Sequence, residues 1–224
     1  MDSGINGAQH KSTKATRHEM PTVMANNKSG ASMGTVPGVT RTRGVRTYLH
    51  AFEENEQYQL IDISHNGYDF MDDPMFHRRR VVRLPDDVSV IEDRVTGICR
   101  EEHDIRLYYN FAFGHLNGEN GKFDYTSQKG RRYTMTVQAD KKLDFEILEG
   151  SEDPIGGWIS YGYAWRKPIP QLIAKHSGKA PIHFITVLAP EGTKAETAIN
   201  GDAATVTLAG GKVLTLTENA VELH

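Results

Sequence analysis

Two histidines and a run of arginines pose the chemical question in this chain. His65 closes the apolar stretch Asp62-Ile63-Ser64-His65, and Asn66-Gly67 follows, a pair that tolerates positive φ and reads as a turn. His77 opens a second stretch, Phe76-His77-Arg78-Arg79-Arg80-Val81-Val82-Arg83. Histidines on adjoining strand ends could share a metal or a substrate. Arg78, Arg79 and Arg80, set at the rim of a sheet, could hold carboxylates or sulfates in bidentate fashion. Solvated charge at a strand mouth is the plainer alternative, and composition does not separate the two.

The elements that must position these groups follow a period of two, the mark of half-buried strands. Ile105, Leu107, Tyr109 and Phe111 fall on one face of a strand, with Asp104, Arg106 and Asn110 on the other. Tyr133, Met135, Val137 and Ala139 repeat the device, and Leu143, Phe145 and Ile147 form a third stripe. Further strands are predicted over 59–63, 80–84, 88–95, 171–174, 182–188, 205–208 and 212–217. Asn117-Gly118, Asn120-Gly121, Asn200-Gly201 and Gly210-Gly211 punctuate them as turns. The one helical suspicion is a turn near 53–57. The fold class is therefore all-β: a large antiparallel β-sandwich with almost no helix, each sheet having one core face and one free face. It spans residues 45–224, after an irregular segment of residues 1–44 in which one or two short strands, at Pro21–Ala25 and Thr35-Val36, are expected.

The 224 residues carry a formal charge of -3, unevenly spread. Residues 1–50 hold seven Lys/Arg against two Asp/Glu, a net of +5, which leaves -8 for the remainder. A basic head favours an anionic partner, but no nucleic-acid motif accompanies it, so no nucleic acid is expected. One cysteine, Cys99, excludes an intrachain disulfide and argues against a thiolate metal cluster; it reads as a small buried side chain. No run is long or apolar enough for a membrane span, and no signal-peptide pattern opens the chain. The aromatic segment Gly157–Trp165 offers either sugar-stacking surfaces or filler for core and edge, and the structural reading is preferred. Pro168-Ile169-Pro170 reads as the entry to an edge strand.

Taken in order, several motifs resemble those of the C-terminal β-sandwich of heparinase II/III-like polysaccharide lyases. They are Ser64-His65-Asn66-Gly67-Tyr68, His77-Arg78-Arg79-Arg80-Val81, Ile91-Glu92-Asp93-Arg94-Val95, Trp158-Ile159-Ser160-Tyr161-Gly162, Pro168-Ile169-Pro170 and Thr186-Val187-Leu188. Arg17-His18 with Thr22-Val23 is similar to a further motif near the start of that domain, although Glu19-Met20-Pro21 stands where the family has a single Asn.

The resemblance implies lyase chemistry on an acidic polysaccharide, carried out in a cleft between this sandwich and an N-terminal α/α toroid expected upstream. The isolated domain is expected to be inactive, and a non-catalytic acidic-glycan-binding or structural module is the alternative. By resemblance His18 is the catalytic residue of the sandwich, Arg78, Arg79 and Arg80 bind substrate, and a periplasmic or secreted location follows. Several relatives hold zinc through two histidines and an aspartate; on the matched motifs His18 and His77 are the histidines, and no Asp lies between Glu19 and Leu60.

Overall fold

A computed structural model describes residues 23–25, 46–162 and 165–224 of the chain, with side chains described from residue 46 onward. Strand β1 (Val23–Ala25) comes first, and β2 (Thr47–Glu54), β3 (Gln59–Tyr68), β4 (Met75–Arg83) and β5 (Ser89–Gly97) follow as successive hairpins. Next are β6 (His103–Asn110), β7 (Gly114–Glu119), β8 (Lys122–Ser127), β9 (Arg132–Ala139) and β10 (Asp144–Glu149). Two short hairpins come after them: β11 (Ser151–Glu152) with β12 (Ile155–Gly156), and β13 (Trp158–Gly162) with β14 (Trp165–Pro168). The chain returns through β15 (Pro170–Gly178) and β16 (Ile182–Pro190). It ends in β17 (Ala195–Asn200), β18 (Ala203–Leu208), β19 (Val213–Leu216) and β20 (Val221–Leu223). Among the described residues the single helical turn is Ala209–Gly211.

Among the described residues all pairings are antiparallel. Eight strands form the central sheet in the order β2-β3-β4-β5-β16-β9-β8-β7. A four-stranded sheet, β1-β6-β15-β10, covers one face, and Ile105, Leu107, Tyr109 and Phe111 are all buried there. Tyr109 reaches across the core to the central sheet, where its hydroxyl meets Thr186 Oγ1 at 2.7 Å. The C-terminal strands β17–β20 form a second four-stranded sheet.

That last sheet corrects the expectation of one free face per sheet. Strand β16 alternates between two cores: Ile182 and Phe184 join Leu107, Tyr109 and Leu172, whereas Ile185, Val187 and Ala189 join Val206, Leu214 and Leu216. Its apolar run, interrupted only by the buried His183 and Thr186, is what a strand buried on both faces needs.

Three local expectations change as well. Asn66-Gly67 lies inside β3 at a register shift between His65 and Tyr68, and the chain reverses only after Tyr68. Asn117-Gly118 lies inside β7, where Gly118 has φ +132 and a Cβ would sit 2.2 Å from the Lys122 carbonyl oxygen. The suspected helical turn near 53–57 is a hairpin turn held by Asn55 Oδ1, which accepts from the backbone N–H groups of Gln57 (2.8 Å) and Tyr58 (2.9 Å). Cys99 is half-buried rather than buried, at φ 62. Of segment 1–44 only β1 is described, paired with β6 through Val23 opposite Leu107.

Candidate functional site

Alternation along β4 decides where each charged group goes. His77 and Arg79 point to the face covered by β6 and β15, and Arg78 and Arg80 point to the opposite one, since successive side chains leave a strand on opposite sides. The pairing of β4 with β5 sets Arg79 opposite Asp93 and Arg80 opposite Glu92. Residues directly opposite share a face, so each arginine meets a carboxylate.

On the first face Asp93 is fully buried and accepts three hydrogen bonds. Arg79 donates to both oxygens, at 2.6 and 2.9 Å, and His77 Nε2 lies 2.6 Å from Oδ1. His77 Nδ1 in turn lies 3.2 Å from His65 Nε2, and the Gly67 N–H donates to His65 Nδ1 at 3.1 Å. The Gly67 donor fixes the tautomers. His65 carries its proton on Nε2 and donates to His77, which donates from Nε2 to Asp93. Burial lifts the Asp93 carboxyl, yet the Arg79 charge and the His77 hydrogen bond outweigh it and hold the group below the usual aspartate value. Burial holds His77 below the usual histidine value, against the pull of Asp93 and with added lowering from Arg79.

On the other face Glu92 gathers Arg80, Arg94 (3.0 Å) and His183 Nε2 (2.7 Å). Burial again pushes this carboxyl up, and the hydrogen bonds of His183 and Arg80 with their charges outweigh it, holding the group at about 2. The arginines then reach the C-terminal sheet. Arg78 donates to the Glu218 carbonyl (3.0 Å), Arg80 to that of Ala220 (3.2 Å) and Arg94 to that of Asp202 (2.6 Å).

These contacts revise the role expected for the arginine run. Arg79 and Arg80 do hold carboxylates, but those of the chain itself, and at 3% and 1% exposure they offer no approach to an outside anion. Arg78 is partly open and is bidentate with Asp62, at 2.9 and 2.5 Å. His18 lies outside the described residues. His77 is committed at both nitrogens, and among the described residues no group of three His, Cys, Asp or Glu could hold a metal ion. The described residues alone therefore do not make a zinc site. Asp93, Glu92 and His183 carry the two networks without having been singled out as site residues. Their signal was the Glu92-Asp93 pair on the strand after Arg79-Arg80, where one register satisfies both arginines.

The family described as heparinase II/III-like, C-terminal, matches residues 21–200. This chain belongs to that family. The match takes in both networks except for the contacts made by Asp202, Glu218 and Ala220, and strands β18–β20 of this heparinase II/III-like C-terminal domain lie beyond it. Solved structures similar to the domain include a heparinase III gene product (TM-score 0.61, 15% identity) and heparan sulfate lyase HepC from Pedobacter heparinus (0.61, 12%). A further heparinase III gives 0.59 at 18% identity. The alignments cover 76% to 80% of this chain but only 27% to 29% of those chains, so the shared part is about a quarter of the known proteins' length. No curated protein sequence matches.

Proposed function

We propose that this chain is the β-sandwich part of a polysaccharide lyase that cleaves uronate-containing acidic glycans by β-elimination, and that it requires a helical toroid to act. The observation that carries this reading is the family match over residues 21–200. In the reaction a base removes the proton α to the uronate carboxyl, and the electron pair is held as an enolate-like intermediate. The bond to the glycosidic oxygen then breaks, a carbon–carbon double bond forms, and an acid protonates the departing oxygen. His18 is the proton-transfer group assigned to the sandwich.

A second feature supports a partner domain. Leu49 and Phe52 on β2 are 66% and 67% exposed and pair with Ile63 and Ile61. Register across β3, β4 and β5 places this apolar patch on the same face as Asp93, on the strands that flank the region covered by β6 and β15. Large apolar patches at a protein surface usually mark a partner.

The test is double-bond formation in uronate-containing glycans, followed by ultraviolet absorbance. The chain alone should give no turnover, because groups acting as a set lose most of their effect when part of it is removed. A fusion to the helical part of heparinase III should give turnover that His18→Ala removes. Turnover by the chain alone that disappears in His18→Ala would refute the need for a toroid, and an inert, well-folded fusion would count against the lyase reading.

A further inference from the structure

The hairpin β13–β14 has two unlike faces. On one, Trp158 and Arg166 tie it to the body: Trp158 Nε1 donates to the Ser151 carbonyl (2.8 Å), and Arg166 lies 4.1 Å over the Trp158 ring and pairs with Glu152 (2.6 Å). The root of the hairpin is tight, since a Cβ on Gly150 would meet Pro168 Cβ at 2.9 Å. On the other face stand Tyr161, Trp165 and Lys167. Trp165 and Lys167 are two apart on β14 and so share a side, and the Tyr161 ring lies 5.4 Å from that of Trp165 at 38°. Tyr161 is 73% exposed and Trp165 38%, so neither is core filler.

Lys167 completes the arrangement. Its ammonium lies 5.4 Å from the Trp165 ring and 6.0 Å from that of Phe113, and among the described residues it forms no ion pair. Arg78, Arg79 and Arg80 are neutralised internally; this exposed cation beside the exposed Trp165 ring is not.

We propose that Tyr161, Trp165 and Lys167 form a contact site for an acidic oligosaccharide, a deepening that rests on the lyase reading. A pyranose ring presents an apolar C–H face that stacks on an aromatic ring, and a uronate or sulfated sugar adds an anion at its edge. The two rings supply the stacking surface, and Lys167 supplies the opposite charge at its margin. Arg166 and Trp158 hold the hairpin in place, so the surface is formed before the ligand arrives, which lowers the ordering cost of binding.

The experiment uses the full chain, with affinity read by calorimetry and by tryptophan fluorescence. The probes are a heparin-derived hexasaccharide, a polyguluronate hexasaccharide, a neutral dextrin of equal length, and anionic phospholipid vesicles. At least one acidic hexasaccharide should bind, more weakly as salt rises, and the dextrin should bind less well. Trp165→Ala and Lys167→Ala should each weaken that binding about ten-fold. Tyr161→Ala, at the most exposed position, should weaken it too, with an unchanged melting temperature. Acidic hexasaccharides that bind the variants and the parent equally would overturn the hairpin's role and leave the lyase reading standing. Failure of both acidic hexasaccharides to bind the parent, or vesicle binding without glycan binding, would overturn the site, while the fusion assay judges the lyase reading separately.

Discussion

Glu92 and Asp93 are neighbours in the chain, yet their carboxylates lie on opposite faces of the central sheet and anchor two separate networks. Asp93 binds Arg79 and His77 beneath the β6–β15 sheet, and Glu92 binds Arg80, Arg94 and His183 on the side of the C-terminal sheet. Consecutive acids opposite consecutive arginines thus charge both faces of one strand pair.

Removing Asp93 should be among the costliest single changes. Asp93→Ala leaves Arg79 buried without its partner and His77 without its acceptor, and about 3–5 kcal/mol of stability should be lost. Glu191→Ala, which breaks the exposed Arg132–Glu191 pair at 3.4 Å, should cost no more than about 1 kcal/mol. Urea unfolding of both variants checks the contrast, and equal losses would sink it.

Acid should destabilise the chain in two stages. His77 is held below the ordinary histidine value of 6.5, so the unfolded chain takes up that proton first. Its contribution is full above about pH 6.5 and is lost as pH falls toward the folded value. Glu92, at about 2, and Asp93, also lowered, contribute above the ordinary carboxylate range and lose that contribution as pH drops through their folded values. Melting temperatures measured from pH 8 to 3 should fall gently at first and steeply below about pH 4.5. A rise between pH 7 and 5 would contradict this.

The Tyr109–Thr186 hydrogen bond joins the two main sheets through their core. Tyr109→Phe and Thr186→Val should each cost about 1–3 kcal/mol, because each strands the other's buried hydroxyl. The double variant should cost less than their sum. A double-mutant cycle in denaturant measures it, and strict additivity would show that the contact carries no coupling.

Zinc should leave the melting temperature of the chain unchanged, since His77 is committed to Asp93 and His65. A rise of several degrees with added zinc that vanishes in His18→Ala would show a metal set completed from the N-terminal segment.

Much of the fold was legible because period two is a local signal. The stripe Ile105, Leu107, Tyr109 and Phe111 is buried on one face, and the strand expected from Arg132 to Ala139 has those same ends. The third sheet was not legible, because an apolar run such as Ile182–Ala189 demands cover on both faces without naming what supplies it. Asn66-Gly67 misled for a different reason: the pair falls in the register shift between His65 and Tyr68, and its turn bond, from the Asp69 N–H to the Asn66 carbonyl at 3.1 Å, closes at the end of β3. The arginines were expected to hold the carboxylates of a substrate, whereas their partners are Asp62, Asp93 and Glu92 on the two neighbouring strands, and only the register discloses that. The aromatic segment divided in a way composition does not show, Trp158 turning to the body and Trp165 outward.

The joint between the central sheet and the C-terminal sheet has a consequence for how this end of the molecule can diverge. Arg78, Arg80 and Arg94 donate to the backbone carbonyls of Glu218, Ala220 and Asp202, and every residue type carries that acceptor. The side chains of those turns can drift with little effect on the joint, while an insertion or deletion would move the carbonyls out of reach. The attachment therefore depends on loop length and shape rather than on the letters of those turns.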